Sequence, residues 1–187
     1  MSDGKKKRDK HFPNIAFLNP FRKWFIPPES IFGPYLSRGG VAADLGCGPG
    51  YFIFPMAERV GMEGMVYAID SNGRCIRAIE RRKKKLGVTN IETHASSAHA
   101  LDFIGDATVD FVLAWGLLCS MAPENHIAAV HEIKRILRPE GYACLSVARG
   151  SMSYVDDDEW EGILREFNVK ERSSSQGCHS ASVSLKR

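Results

Sequence analysis

From position 41 onward, short unbroken apolar runs alternate with stretches where apolar residues recur every three or four positions. Residues 41–45 form an apolar run closed by glycines and predict a buried strand. Residues 51–60 carry a helical pattern and 66–69 a second strand. Over 74–86 the spacing predicts a helix with Ile76, Ile79 and Leu86 on one side, and Gly87 is placed to end it. A short third strand is predicted over 91–94 and a fourth over 111–114, preceded by Asp110. Pro123 suits the first turn of a helix whose apolar face is Ile127, Val130, Ile133 and Leu137. Arg138, Pro139, Glu140 and Gly141 read as the turn that ends it, and 142–148 as a fifth strand. Asp156 to Glu159 place negative charge where a helix N-terminus favours it. Trp160, Ile163, Leu164 and Phe167 follow at the spacing of one buried stripe, and 169–185 holds two β-like runs around Gly177, a closing antiparallel hairpin. Strand and helix in alternation imply right-handed crossovers and a mainly parallel sheet.

Residues 1–40 break this alternation. Phe12, Phe17, Phe21, Trp24, Phe25, Phe32 and Tyr35 are interspersed with prolines at 13, 20, 27, 28 and 34. Left exposed, so many aromatics would form an apolar patch that soluble monomers rarely carry. The expected organisation is a disordered basic tail over 1–10, an aromatic arm packed on the domain over 11–40, and a cofactor-binding domain over 41–187.

Composition narrows the class. A chain of 187 residues, 44% hydrophobic, supports one domain with a sizeable core. Its net charge of +3 is too mild to signal nucleic acid, and the clusters Lys5–Arg8 and Arg81–Lys85 read as a solvated tail and a solvated helix end. No apolar run is long enough to span a membrane and no secretory signal opens the chain, so a cytoplasmic protein is expected. The five cysteines are scattered without a Cys-x-x-Cys pair, which argues for buried reduced thiols rather than disulfides or structural zinc. Apart from the i, i+5 pair His126 and His131, which would not face one way on a helix, the six histidines share no metal-binding spacing, so no metal is expected.

The sharpest local signal is Val41-Ala42-Ala43-Asp44-Leu45-Gly46-Cys47-Gly48-Pro49-Gly50-Tyr51-Phe52, an apolar strand, a tight glycine turn and the start of a helix. Glycines let the backbone turn sharply and approach a ligand with no Cβ in the way. Asp44 sits two positions before the first glycine, and a second acid, Asp70, ends the next strand. In open α/β sheets ligands bind at the carboxyl ends of strands, where a carboxylate can accept both hydroxyls of a ribose. The bland alternative for Asp70 is a helix cap, a role that Ser71 or Asn72 fills equally well.

This stretch resembles the glycine signature of the class I S-adenosylmethionine-dependent methyltransferases, and the resemblance extends from about Val41 to Ala148. It implies a Rossmann-like, doubly wound, mainly parallel seven-stranded sheet with a closing antiparallel hairpin and helices on both faces. It also implies S-adenosylmethionine as cofactor. Asp44 would hold the methionine amino group, Gly46, Cys47, Gly48 and Gly50 would pass under the cofactor with Tyr51 following, and Asp70 with Ser71 would grip the ribose. Ser97, followed by Ala98, stands where the family often has an acid near the adenine, a departure from its pattern. Trp115 and Gly116 end the fourth strand, which borders the methionine part and the acceptor.

A nicotinamide-dependent oxidoreductase fits less well. The third glycine, Gly50, comes one position early for that fingerprint, and Asp44 would repel a pyrophosphate. Markers of base-amine, cytosine-C5 and arsenite methylation are missing: no Asn/Asp-Pro-Pro-aromatic stretch follows the fourth strand, and no cysteine follows a proline. No general base stands out. The expected activity is methyl transfer by direct displacement to a small-molecule acceptor, with a cofactor-binding module lacking transferase activity as the alternative.

Overall fold

The protein is described by a computed structural model covering Asp9, residues 27–151, 153–175 and 177–186. Most of the aromatic arm and the rest of the basic tail lie outside these described residues. The elements are α1 (Pro28–Phe32), β1 (Val41–Leu45), α2 (Ile53–Val60), β2 (Met65–Ile69), α3 (Gly73–Leu86), β3 (Ile91–His94), β4 (Val109–Trp115), α4 (His126–Ile136), β5 (Leu137–Ala148), α5 (Asp157–Arg165), β6 (Phe167–Ser174) and β7 (Cys178–Leu185). The seven strands form one sheet in the order β3-β2-β1-β4-β5-β7-β6. Strands β1 to β5 pair in parallel, and β7 runs antiparallel to both β5 and β6.

Alternation along the strands divides the core into two layers. Ala43 and Leu45 of β1 with Val112 and Ala114 of β4 face α4 and α5, where Val130, Ile133, Trp160 and Leu164 are buried. Ala42, Phe111 and Leu113 point the other way, onto α1, α2 and α3 through Phe32, Met56 and Ile79. Phe32 and Leu36 are fully buried here, and the Tyr35 ring stacks parallel to Phe111 with centroids 6.4 Å apart, so the described end of the arm packs on the sheet.

Three details depart from the sequence pattern. Ile127 is 72% exposed and His126 takes the buried position, because at 3.6 residues per turn His126 shares a face with Ala129, Val130, Ile133 and Ile136 while position 127 turns away from it. Leu86 is 55% exposed, since the buried face of α3 is confined to Cys75, Ile76 and Ile79 in its first half and the basic second half is solvated. Arg138 to Gly141 belong to β5 rather than to a free turn. Pairing with β4 jumps from Val109–Leu137 to Phe111–Tyr142, so the residues between bulge out of the ladder. Asp110 fastens this edge, accepting the Val41 N–H at 2.8 Å and pairing with Arg138 at 2.5 Å.

Candidate functional site

Because β1 pairs with both β2 and β4, the crossovers leave β1 in opposite directions and open a crevice at the carboxyl ends of the strands. β1 runs into the glycine turn there. The N–H groups of Gly46 and Cys47 donate to the Ile69 carbonyl at 2.8 and 3.0 Å, which locks the turn to the end of β2. Gly46 and Gly48 hold φ of +75° and +53°, the left-handed region that disfavours a side chain, and nothing lies within 4 Å of where a Gly48 Cβ would stand.

Asp70 closes the arrangement. One carboxylate oxygen accepts the Gly48 N–H at 2.8 Å and the other the Asn72 N–H at 2.7 Å. Asn72, not Asp70, is the cap of α3, accepting the Arg74 N–H at 3.0 Å. Asp70 therefore staples the turn after β1 to the loop after β2. A carboxylate offers about four lone-pair sites, so two amide bonds leave capacity for ligand hydroxyls.

The crevice encloses about 290 Å³, near the lower end of the roughly 300–1,000 Å³ typical of small-molecule sites. Of the residues singled out from the sequence, Gly46, Gly48, Asp70, Ser71, Ser97, Ala98, Trp115 and Gly116 line it together. Four others do not line it. Asp44 lies buried in β1, 2% exposed. Cys47 is buried beneath the turn. A Cβ on Gly50 would meet Ile79 at 3.0 Å, so this glycine serves the approach of the turn to α3. Tyr51 packs edge-on against Phe52.

The structure adds wall residues that sequence pattern did not mark. Leu117, Cys119, Ser120 and Met121 follow β4, Ser146 and Ala148 end β5, and Gly177 and Cys178 open β7. Asp9, from the segment expected as a disordered tail, also lines the cleft and accepts the Ala122 N–H at 2.8 Å. Only long-range pairing brings these groups here, so no local signal announces them. The loop after β4 is steadied by His126, 2% exposed, whose Nδ1 lies 2.6 Å from Glu159 and Nε2 3.0 Å from the Met121 carbonyl. A smaller hollow of about 170 Å³ shares Trp115 as a wall, and the Tyr35 hydroxyl lies there within 2.8 Å of Ser182.

The lining is electrostatically one-sided: it holds the carboxylates of Asp9 and Asp70 and, among the described residues, no lysine or arginine. Arg149 is paired with Asp157 at 2.9 Å, outside the cleft. Burial raises the Cys75 thiol above its ordinary value, with the Asp70 charge adding to it, and burial next to Asp44 pushes Cys47 well above. Both are neutral thiols at physiological pH and not nucleophiles. Ser97 Oγ lies 2.8 Å from His99 Nδ1 at the β3 end of the cleft.

A mainly parallel sheet ending in an antiparallel hairpin, with a glycine turn and a stapled acid at its switch point, defines an α/β domain built for a nucleoside-bearing cofactor. Residues 42–141 match the family model described as a methyltransferase domain, and the chain belongs to this S-adenosylmethionine-dependent methyltransferase family. It is 28% identical over 150 residues to a demethylmenaquinone methyltransferase of Geobacillus kaustophilus, a match covering 79% of this chain and 62% of that relative. The chain thus spans less than two thirds of that relative's length. In fold it is similar to a SAM-dependent methyltransferase from Aquifex aeolicus, with TM-score 0.77 and 23% identity over 95% of this chain and all of that one. It is also similar to the Burkholderia thailandensis 1,6-didemethyltoxoflavin-N1-methyltransferase with bound S-adenosylhomocysteine, with TM-score 0.71 and 17% identity over 96% and 94% of the two chains.

Proposed function

We propose that this protein transfers a methyl group from S-adenosylmethionine to a small-molecule acceptor by direct displacement. The observation that carries this reading is the Asp70 staple, a carboxylate in a cleft lined with acids and, among the described residues, without lysine or arginine. A dinucleotide pyrophosphate would be repelled there, whereas a cationic nucleoside fits. In this reading Asp70 and Ser71 hold the ribose hydroxyls, Ser97 and Ala98 flank the adenine, and the bare backbone of Gly46, Gly48 and Gly116 permits close approach. Asp44, Cys47, Gly50 and Tyr51 act from behind the wall by shaping the turn, and the buried Asp44 charge favours an ammonium group above it.

When bound, the cofactor supplies a methyl carbon made electrophilic by a positively charged sulfur. The protein's share is alignment and exclusion of water. Past β4 the cleft continues along Ser146, Ala148, Gly177 and Cys178, which supports a small acceptor seated beside the cofactor. Among the described residues no helix is long and apolar enough to cross a membrane. Cysteines with no disulfide partner suit a reducing compartment such as the cytoplasm.

Calorimetric titration with S-adenosylmethionine, S-adenosylhomocysteine and NAD tests the cofactor assignment; tighter binding of NAD than of either sulfur ligand overturns it. Transfer of labelled methyl groups into a metabolite panel then separates an enzyme from a binding module.

A further inference from the structure

We propose that Asp9 makes the acceptor end of the cleft selective for positive charge, favouring the methyl-bearing cofactor over its demethylated product. This rests on the cofactor reading above. Asp9 reaches the cleft from 113 residues away in sequence to accept the Ala122 N–H at 2.8 Å through Oδ1. It joins Leu117, Cys119, Ser120 and Met121 in the wall that follows β4, at the opposite end from Ser96, Ser97 and Ala98 after β3. The other charged wall residue, Asp70, is engaged by two backbone amides beneath the β2 end. Among the described residues Asp9 is thus the charged wall residue beside the loop that follows β4.

Methyl transfer changes the charge at that place. S-adenosylmethionine carries a sulfonium, and donation of its methyl group leaves a neutral thioether, with the positive charge passing to the acceptor or leaving as a proton. A carboxylate in the wall attracts the sulfonium form and has no such attraction for the thioether, so this contribution to binding falls on the methyl-bearing form alone. The same field disfavours acceptors bearing a phosphate or carboxylate, because the lining offers no lysine or arginine to offset it among the described residues. The acceptor class is accordingly neutral or cationic: an amine, a heteroaromatic nitrogen or a hydroxyl compound.

Asp9→Asn isolates the charge, since the asparagine Oδ1 still accepts the Ala122 N–H while the negative charge is removed. Dissociation constants of wild type and variant are measured by calorimetry for S-adenosylmethionine, for sinefungin, which presents an ammonium in place of the sulfonium, and for S-adenosylhomocysteine. The expected result is about a tenfold weakening for the two cationic ligands, equivalent to about 1.4 kcal/mol, with S-adenosylhomocysteine unchanged. Equal effects on all three, or none, overturn the assignment of Asp9. Failure of wild type to bind any of them sinks instead the cofactor reading on which it stands.

Discussion

Replacing Asp70 by asparagine separates two roles that the structure superimposes on one side chain. The carboxylate accepts the N–H groups of Gly48 and Asn72 at 2.8 and 2.7 Å. Asparagine can accept from one of them through Oδ1, but its amide nitrogen then confronts the other donor. One bond to a charged acceptor is lost and one weakened. For a partly exposed pair the cost is about 1–2 kcal/mol of stability, a fall in Tm of about 2–8 °C for a domain of this size. Binding suffers separately, because ribose hydroxyls lose a charged acceptor. That loss is worth about 1.5–3 kcal/mol, or roughly ten- to a hundredfold in Kd. Thermal unfolding without ligand reads the first effect, and calorimetry with S-adenosylhomocysteine well below the variant's Tm reads the second. A lowered Tm with unchanged Kd would refute the ribose assignment and leave Asp70 as a loop staple alone.

Other consequences follow from particular contacts. Gly48→Ala places a Cβ in open space at φ +53°, so it costs about 1–2 kcal/mol of backbone strain and blocks ligand approach. Gly64→Ala drives its Cβ to 2.4 Å from the Val60 Cβ and 2.5 Å from the Gly40 carbonyl. Calorimetry and melting should therefore show the first variant folded and weak in binding, the second impaired in folding. Arg135, hydrogen-bonded to Glu132, holds the Glu132 carboxyl below its usual value, so this pair stabilises the fold above about pH 4 and ceases to do so as pH falls through the lowered value. Glu132→Gln should lower the urea midpoint at neutral pH, and the gap to wild type should narrow as the pH falls below the ordinary glutamate range; a constant gap would contradict the linkage. Burial pushes the Cys144 thiol up to about 12 and Cys47 well above its ordinary range. Both should resist alkylation at pH 8 until the protein is unfolded, as peptide mass mapping would show.

The alternation of apolar runs determined the parallel strands, their helices and the hairpin, because a strand buried on both faces must be continuously apolar and an amphipathic helix must repeat every three to four residues. The glycine turn was equally legible, since backbone conformation at φ beyond reach of side chains is written in the residue type itself, and Asp70 was legible as the acid that closes the second apolar run. Apolar character alone was misleading at two places. The buried face of α4 runs through His126, Ala129, Val130 and Ile133 and leaves Ile127 exposed, and the bulge before Tyr142 absorbed what reads as a turn. The site shows the same division. Residues adjoining a strand end, such as Gly48, Ser71 and Gly116, could be placed from the family resemblance that the local motif carries. Asp9, Ser146 and Cys178 could not, because their position in the wall depends on which strands pair across the sheet and on a hydrogen bond spanning 113 residues. Local sequence determined what each segment is; the order β4-β5-β7 and the packing over it decided which segments share a cavity.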